Sequence, residues 1–155
     1  MNAPTRPSQA RIRQARQEDS AAMAKLSVQL GYPVTTQVIA ARLEDASRDS
    51  FSIVIVAETP AGEIAGFAQF VDQRLIGSDP RVEVAALVVD ESVRGRGVGR
   101  LLLSHGEHWA RERGRNIVNV RSNVIRAAAH AFYEHVGYRH YKTQKAFRKD
   151  LNERE

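Results

Sequence analysis

Between Val82 and Leu103 the chain reads VEVAALVVDESVRGRGVGRLLL. An apolar, largely β-branched run ends at Asp90. A basic, glycine-rich turn follows (Arg94, Gly95, Arg96, Gly97, Val98, Gly99), and a helical pattern then begins at once. Strand, glycine turn and helix together make an anion site. The helix start offers backbone N–H groups without intrahelical acceptors, and the positive end of its dipole. Glycines let the backbone curl toward a phosphate without Cβ clashes. Arg94, Arg96 and Arg100 add charge suited to phosphate. The segment reads as a pyrophosphate-binding loop, with a tight turn that binds nothing as the alternative.

Spacing separates the known loops of this kind. A P-loop needs G-x-x-x-x-G-K-[ST], but Gly95 is followed five residues later by Arg100 and Leu101, with no lysine–hydroxyl pair. A dinucleotide fingerprint needs G-x-G-x-x-G/A and an acid roughly 20 residues on. Gly95 and Gly97 fit, but Arg100 holds the third position, and the acid region falls on Asn119 and Val120. The pattern that fits is R-x-x-G-x-G, at Arg94, Gly97 and Gly99. It resembles the acetyl-CoA loop of the GCN5-related N-acetyltransferases, the GNAT superfamily. A second stretch, RSNVIRAAAHAFYEHVGY from Arg121 to Tyr138, resembles that family's downstream motif through Asn123, Phe132, Tyr133, Gly137 and Tyr138.

The resemblance implies direct acetyl transfer from acetyl-CoA to a primary amine, with no covalent enzyme intermediate. It assigns the pyrophosphate to Arg94, Gly95, Arg96, Gly97, Val98, Gly99 and Arg100, and adds Asn123 to the coenzyme contacts. It implies a bulged fourth strand that splays from the fifth. The amides at Leu87, Val88 and Val89 would then bind the pantetheine arm and polarise the thioester. Tyr133 matches the usual general acid. A phenol with a free pKa of about 10 is protonated at neutral pH and can donate to a departing thiolate. Glu83 matches a glutamate that serves some members as base, directly or through water; a carboxylate paired with an arginine is the competing reading. Tyr32, in the Leu30–Pro33 segment, sits where the family's acceptor loop lies, and would line that pocket or simply cover the core. The acceptor is expected to be a small-molecule amine, with a peptide or protein amine, or a non-catalytic acyl-CoA-sensing module, as alternatives.

The elements that must position these residues follow from periodicity and turn chemistry. A short strand is expected at 10–15, and a helix from Glu18 to Leu30 broken by Gly31–Pro33. A helix capped by Thr35 or Thr36 runs through Leu43. A hairpin of strands 51–57 and 63–71 follows, then a polar loop at 72–80 and a strand at 82–89. A helix at 98–113 places Val98, Leu101, Leu102, His105 and Trp109 on one face. A strand is expected at 116–122 and a helix at 125–136. The helix should carry a buried stripe of Ile125, Ala128, Ala129, Phe132 and Val136, with Tyr133 beside it and Gly137 as its stop. A strand or strand pair closes the chain at 138–149. This is an α+β layout, β-α-α-β-β-β-α-β-α-β(β), with a mixed, mainly antiparallel sheet flanked by helices. It matches the GNAT order from residue 10 to about 150.

Composition sets the remaining bounds. Length suggests one domain at 10–155 behind a disordered tail at 1–9. Without cysteine, a thiol nucleophile, a thiolate metal site and disulfides are excluded, and no metal is expected. The tail lacks the apolar core of a signal peptide, no run approaches membrane-spanning length, and a cytoplasmic location is expected. Net charge is +5, from 23 Lys and Arg against 18 Asp and Glu. The arginines gather around the glycine loop, and coenzyme A is a polyanion, so acetyl-CoA and an amine are the expected partners. With a single Trp, stacking on nucleic acid is not expected; a homodimer stays open. His130, His135 and His140 read as structural or solvated.

Overall fold

The computed structural model describes residues 9–122 and 124–153. They form two compact units that divide after Arg121. The first unit holds β1 (Arg11–Gln14), α1 (Ser20–Gln29), α2 (Thr36–Ser47), β2 (Ser52–Glu58), β3 (Ile64–Gln73), β4 (Arg81–Val89), α3 (Val98–Glu112) and β5 (Val118–Val120). The sheet has the order β1-β2-β3-β4-β5. Its pairs are antiparallel except β4–β5, which are parallel and joined through α3. The second unit holds α4 (Ala127–His135) and the segment after it.

Alternation along the strands divides the sheet into two faces. Met23, Ala24, Leu26, Ile39 and Leu43 of α1 and α2 pack with Val56, Phe67 and Val88 on one face. On the other, α3 lies against Phe70 and Gly66: a Cβ added at Gly106 would overlap the Phe70 ring, and one added at Gly66 would crowd the Val88 carbonyl and Leu102. The buried stripe of α3 is Val98, Gly99, Leu102, Leu103, Gly106 and Ala110. It is rotated from the face the sequence pattern suggests: His105 is exposed, and Leu101 and Trp109 are only partly covered. The physical reason is Gly106, whose missing side chain admits the Phe70 ring and draws that side of the helix onto the sheet.

The loop expected at 72–80 is shorter than that, because β3 continues through Gln73. Asp72, at the strand end, is wholly covered and accepts from Arg115 Nε at 2.7 Å and Arg113 Nε at 2.9 Å. Backbone bonds from Gly114 N–H to Arg111 O and from Arg115 N–H to Ala110 O turn the chain at the helix end. These two arginines therefore anchor the end of α3 to β3. Arg113 also lies 4.9 Å over the Trp109 ring. Burial alone would push the Asp72 carboxyl up, but the hydrogen bonds from Arg115 and Arg113 outweigh it, and its pKa falls below the ordinary value. A second such clamp ties β1 to its neighbours, with Arg13 bridging Asp19 and Glu58.

Other expectations hold with shifted ends. Thr35 caps α2, accepting from Val38 N–H at 3.2 Å, and that helix runs on to Ser47. The strands expected at 138–149 are absent: no described residue after α4 joins a sheet ladder. A strand exists only through its pairing, and this stretch is mostly polar and exposed, with Tyr141 and Phe147 uncovered. The tail expected at 1–9 lies, except for Gln9, outside the described residues.

Two outcomes follow. Gly106→Ala should lose about 1–3 kcal/mol of unfolding free energy in a denaturant titration, the usual cost of overpacking; a loss below about 0.5 kcal/mol, typical of neutral surface changes, would contradict this packing. Asp72 is depressed in the folded state, so its contribution is present above the ordinary carboxylate range and is lost as pH falls through its folded value. The melting temperature of Asp72→Asn should therefore lie below wild type at pH 7, with the gap closing in strong acid. A gap independent of pH would show that charge is not what Asp72 contributes.

Candidate functional site

β4 ends at Val89, and Asp90 to Val93 make a short turn. The Asp90 carboxylate accepts from the Ser92 N–H and hydroxyl, both at 3.0 Å. The chain then passes through Gly95 and Gly97, both at positive φ (81° and 85°), and enters α3 at Val98. Gly97 is the residue before the helix and no side chain caps it. The Leu101 N–H bonds back to Gly97 O at 3.0 Å, so the amides of Val98, Gly99 and Arg100 precede the first intrahelical bond. Arg94, Arg96 and Arg100 are exposed, whereas Val98 and Gly99 are buried. Turn, helix dipole and arginines thus converge on one helix start, as an anion of high charge density requires.

The strand behind the loop carries the expected bulge. Across β3 and β4, Gln69 faces Ala86 but Phe70 faces Val84, leaving Ala85 unmatched. One extra residue reverses the alternation. Glu83 therefore shares its face with Ala86 and Val88, the face covered by α1 and α2, while Leu87 and Val89 point to the α3 side. β5 registers only against Val82, Glu83 and Val84. Among the described residues, Ala85 to Val89 have no ladder partner on the β5 side of β4, so Leu87, Val88 and Val89 pair only with β3.

Glu83 is buried, opposite Val71 on β3 and Asn119 on β5. One carboxylate oxygen pairs with Arg121 Nε at 3.0 Å; the other, Oε2, is buried with no hydrogen-bond partner among the described residues. The arginine pair is thus present on one oxygen, and the other keeps its acceptor capacity among the described residues. A buried acceptor left unmatched is costly, and a water or a substrate N–H would satisfy it.

In the second unit, α4 ends in a Schellman turn. Gly137, at φ 97°, donates to Glu134 O, and the Tyr138 N–H donates to Tyr133 O at 2.9 Å. Only a residue tolerant of positive φ closes this turn without strain. The rings of Tyr133 and Tyr138 meet edge-on at 6.0 Å. No residue of α4 is fully buried and Ile125 is outside the helix and exposed, so the expected stripe is corrected. Of that stripe Ala129, Phe132 and Val136 are partly covered and Ala128 is exposed; His130 and Tyr133 are partly covered with them. Partial burial pushes the phenol above its ordinary pKa, against a smaller opposing pull from the charge of Arg126. It is therefore fully protonated at neutral pH.

Tyr32 is exposed in the α1–α2 turn, after Gly31. Asn123 lies outside the described residues. The structure brings the 94–100 loop residues together and sets Glu83 and Leu87 to Val89 on one strand; Tyr133 belongs to the other unit. Among the described residues no cluster of three His, Asp or Glu is arranged to hold a metal ion, and no helix is long and apolar enough to cross a membrane. Sequence reading missed Arg121 and Asp72, whose partners are remote in the chain. It also missed the Asp90-Glu91-Ser92 turn, whose Asp-x-Ser pattern is a legible Asx-type signal.

Comparison with known proteins agrees with this geometry. A model of the acetyltransferase (GNAT) family matches residues 15–138. A mycothiol acetyltransferase of Rhodococcus opacus is 30% identical over 100 residues, 57% of this chain and 33% of that protein. An aminoalkylphosphonate N-acetyltransferase of Salmonella typhimurium is 36% identical over 66 residues, 41% of this chain and 43% of that one. The chain thus spans less than half the length of these curated relatives. The crystal structure of an aminoglycoside N-acetyltransferase in complex with CoA superposes with a TM-score of 0.81 at 21% identity, covering 96% of this chain and 99% of that one. At that identity it establishes a shared fold.

Proposed function

The chain belongs to the acetyltransferase (GNAT) family, and from that premise we propose that it transfers an acetyl group directly from acetyl-CoA to a primary amine of a small molecule. Residues 10–155 would serve as one acetyltransferase domain. The observation that carries this reading is the uncapped start of α3, with Gly97 at positive φ and Arg94, Arg96 and Arg100 exposed around it. Those amides and guanidinium groups fit a pyrophosphate. Backbone groups of Leu87, Val88 and Val89 would hold the pantetheine arm, as an added strand is held, with one N–H turned toward the thioester oxygen. When bound, acetyl-CoA supplies the acetyl group and a thiolate leaving group.

The remaining steps use this chain's own side chains. The acceptor amine must lose a proton to become nucleophilic. Glu83 Oε2, the acceptor without a partner, would take it directly or through a water, while Arg121 holds Oε1. The Tyr133 phenol, kept protonated by partial burial, would donate its proton to the departing sulfur. Tyr32, exposed after α1, would contact the acceptor. The named relatives act on chemically different acceptors, and the small-molecule assignment rests on them and not on a pocket code in this chain.

Two measurements test the reading. Acetyl-CoA should raise the melting temperature by binding only the folded state, and Gly97→Val should abolish the rise. A Cβ at Gly97 meets nothing within 4 Å, so the substitution acts through backbone conformation, at about 1–2 kcal/mol, and the variant should still fold. An unchanged rise would remove the loop from the site. A panel of amines assayed for thiol release should then find an acceptor. With it, Tyr133→Phe should lower turnover roughly 10²-fold or more, and Glu83→Gln should be most defective near neutral pH, recovering as the free amine becomes abundant. Tyr133→Phe within about threefold of wild type would leave Tyr133 no acid role on that scale, and a pH-independent Glu83→Gln defect would reject it as base. Binding of acetyl-CoA with no acceptor found would leave an acyl-CoA-sensing module.

A further inference from the structure

The proposed coenzyme loop is contacted by a side chain from outside its own strand and helix. Gln29 is the last residue of α1. Its Oε1 accepts the Glu91 N–H at 3.0 Å, and its Nε2 reaches Asp90 Oδ1 at 3.5 Å. Asp90 is pinned further by its own N–H to Ala65 O on β3 at 2.8 Å. The charge of Lys25, one turn earlier on α1, also acts on the Asp90 carboxylate. A primary amide is the group that matches this pair of neighbours, because it offers an acceptor to a backbone N–H and a donor to a carboxylate. Three residues after Glu91 the chain reaches Arg94.

The same helix end governs a second segment. The Gly31 N–H bonds to Val28 O at 2.9 Å and the Tyr32 N–H to Ser27 O at 3.2 Å, with Gly31 at φ 80°. The turn that presents Tyr32 is therefore closed on the last turn of α1, the turn that carries Gln29. Met23, Leu26 and Ser27 bury that helix, so its end moves only with the turns attached to it. Two segments, one proposed for the acceptor and one for the coenzyme, are fastened to one helix terminus.

We propose that Gln29 is a positioning residue for the coenzyme loop, and that through it the Gly31–Tyr32 turn and the 91–100 loop are coupled. This rests on the reading of that loop as the acetyl-CoA site. Coupling is reciprocal: a ligand that orders the coenzyme loop must order the turn after α1.

The test uses CoA as probe on the full chain, with Gln29→Ala, Gln29→Glu, Asp90→Asn and the double variant Gln29→Glu with Asp90→Asn. Gln29→Ala removes both contacts and should weaken CoA about fivefold, the scale of one net hydrogen bond. Gln29→Glu keeps the acceptor for Glu91 but sets a carboxylate against Asp90, and should weaken CoA further. In the double variant the Asn at 90 keeps its Oδ1 on the Ser92 N–H, but its neutral amide removes the like charge that faced the new carboxylate, and affinity should recover above that of Gln29→Glu alone. That rescue separates positioning from a general loss of stability. By NMR hydrogen exchange, the Glu91 amide should exchange faster in free Gln29→Ala than in free wild type. Saturating CoA should slow the Gly31 and Tyr32 amides by about fivefold or more in wild type, the low end of site-to-site coupling, but not in Gln29→Ala. CoA affinity unchanged in both single Gln29 variants, no rescue in the double variant, or equal slowing of Gly31 and Tyr32 in Gln29→Ala would each overturn the proposal. A wild-type chain that fails to bind CoA would overturn the function reading, and this inference with it. Wild-type binding with unaffected Gln29 variants would overturn this inference alone.

Discussion

The first amides of α3 have no capping side chain, and much of the surrounding structure serves to hold them in place. An unmet helix start costs free energy unless water or a ligand meets it. It is tolerable here because the rest of α3 is tightly fixed. At the middle of the helix, Gly106 admits the Phe70 ring. At its far end, Arg113 and Arg115 close on the buried Asp72. At its near end, Gly97 adopts a positive φ that lets the chain leave β4 and enter the helix without turning a side chain into the approach. The proposed anion site would be a property of where the helix is pinned more than of the glycine turn alone.

The same economy appears in β4. Its first residues, Val82 to Val84, are paired on both sides, and its last are not. Ala85 is the change-over. The bulge there carries Glu83 to the α1 and α2 face, and beyond it Leu87, Val88 and Val89 pair only with β3 among the described residues. A single unmatched residue thus separates the side chain proposed as the base from the backbone groups proposed for the pantetheine arm, while keeping both on one strand.

How much of this was legible in the sequence depended on the range of each interaction. The glycine loop, the helix after it and the Gly137 stop were readable because their physics is local: positive φ, a helix start, and a turn closed within six residues. The mixed α+β sheet was readable from alternation and from the family resemblance. What could not be read involves partners far apart in the chain. Asp72 meets Arg113 and Arg115 across 41 and 43 positions, and Gln29 meets Glu91 across 62. The rotation of α3 was misjudged because periodicity counts large apolar residues, and the residue that set the contact was a glycine. The terminal strands were misjudged for the opposite reason. A β-like composition at 138–149 invites a strand, but composition supplies no partner.

The central claim is that the start of α3 holds the pyrophosphate of coenzyme A, and backbone amide NMR tests it most directly. Titration with CoA should shift the amides of Gly97, Val98, Gly99 and Arg100 in a saturable way, whereas pantetheine, which lacks the pyrophosphate, should leave them in place while perturbing Leu87 to Val89. If those four amides stay unmoved at saturating CoA, or respond equally to pantetheine, the helix start is not the anion site and the account fails at its root.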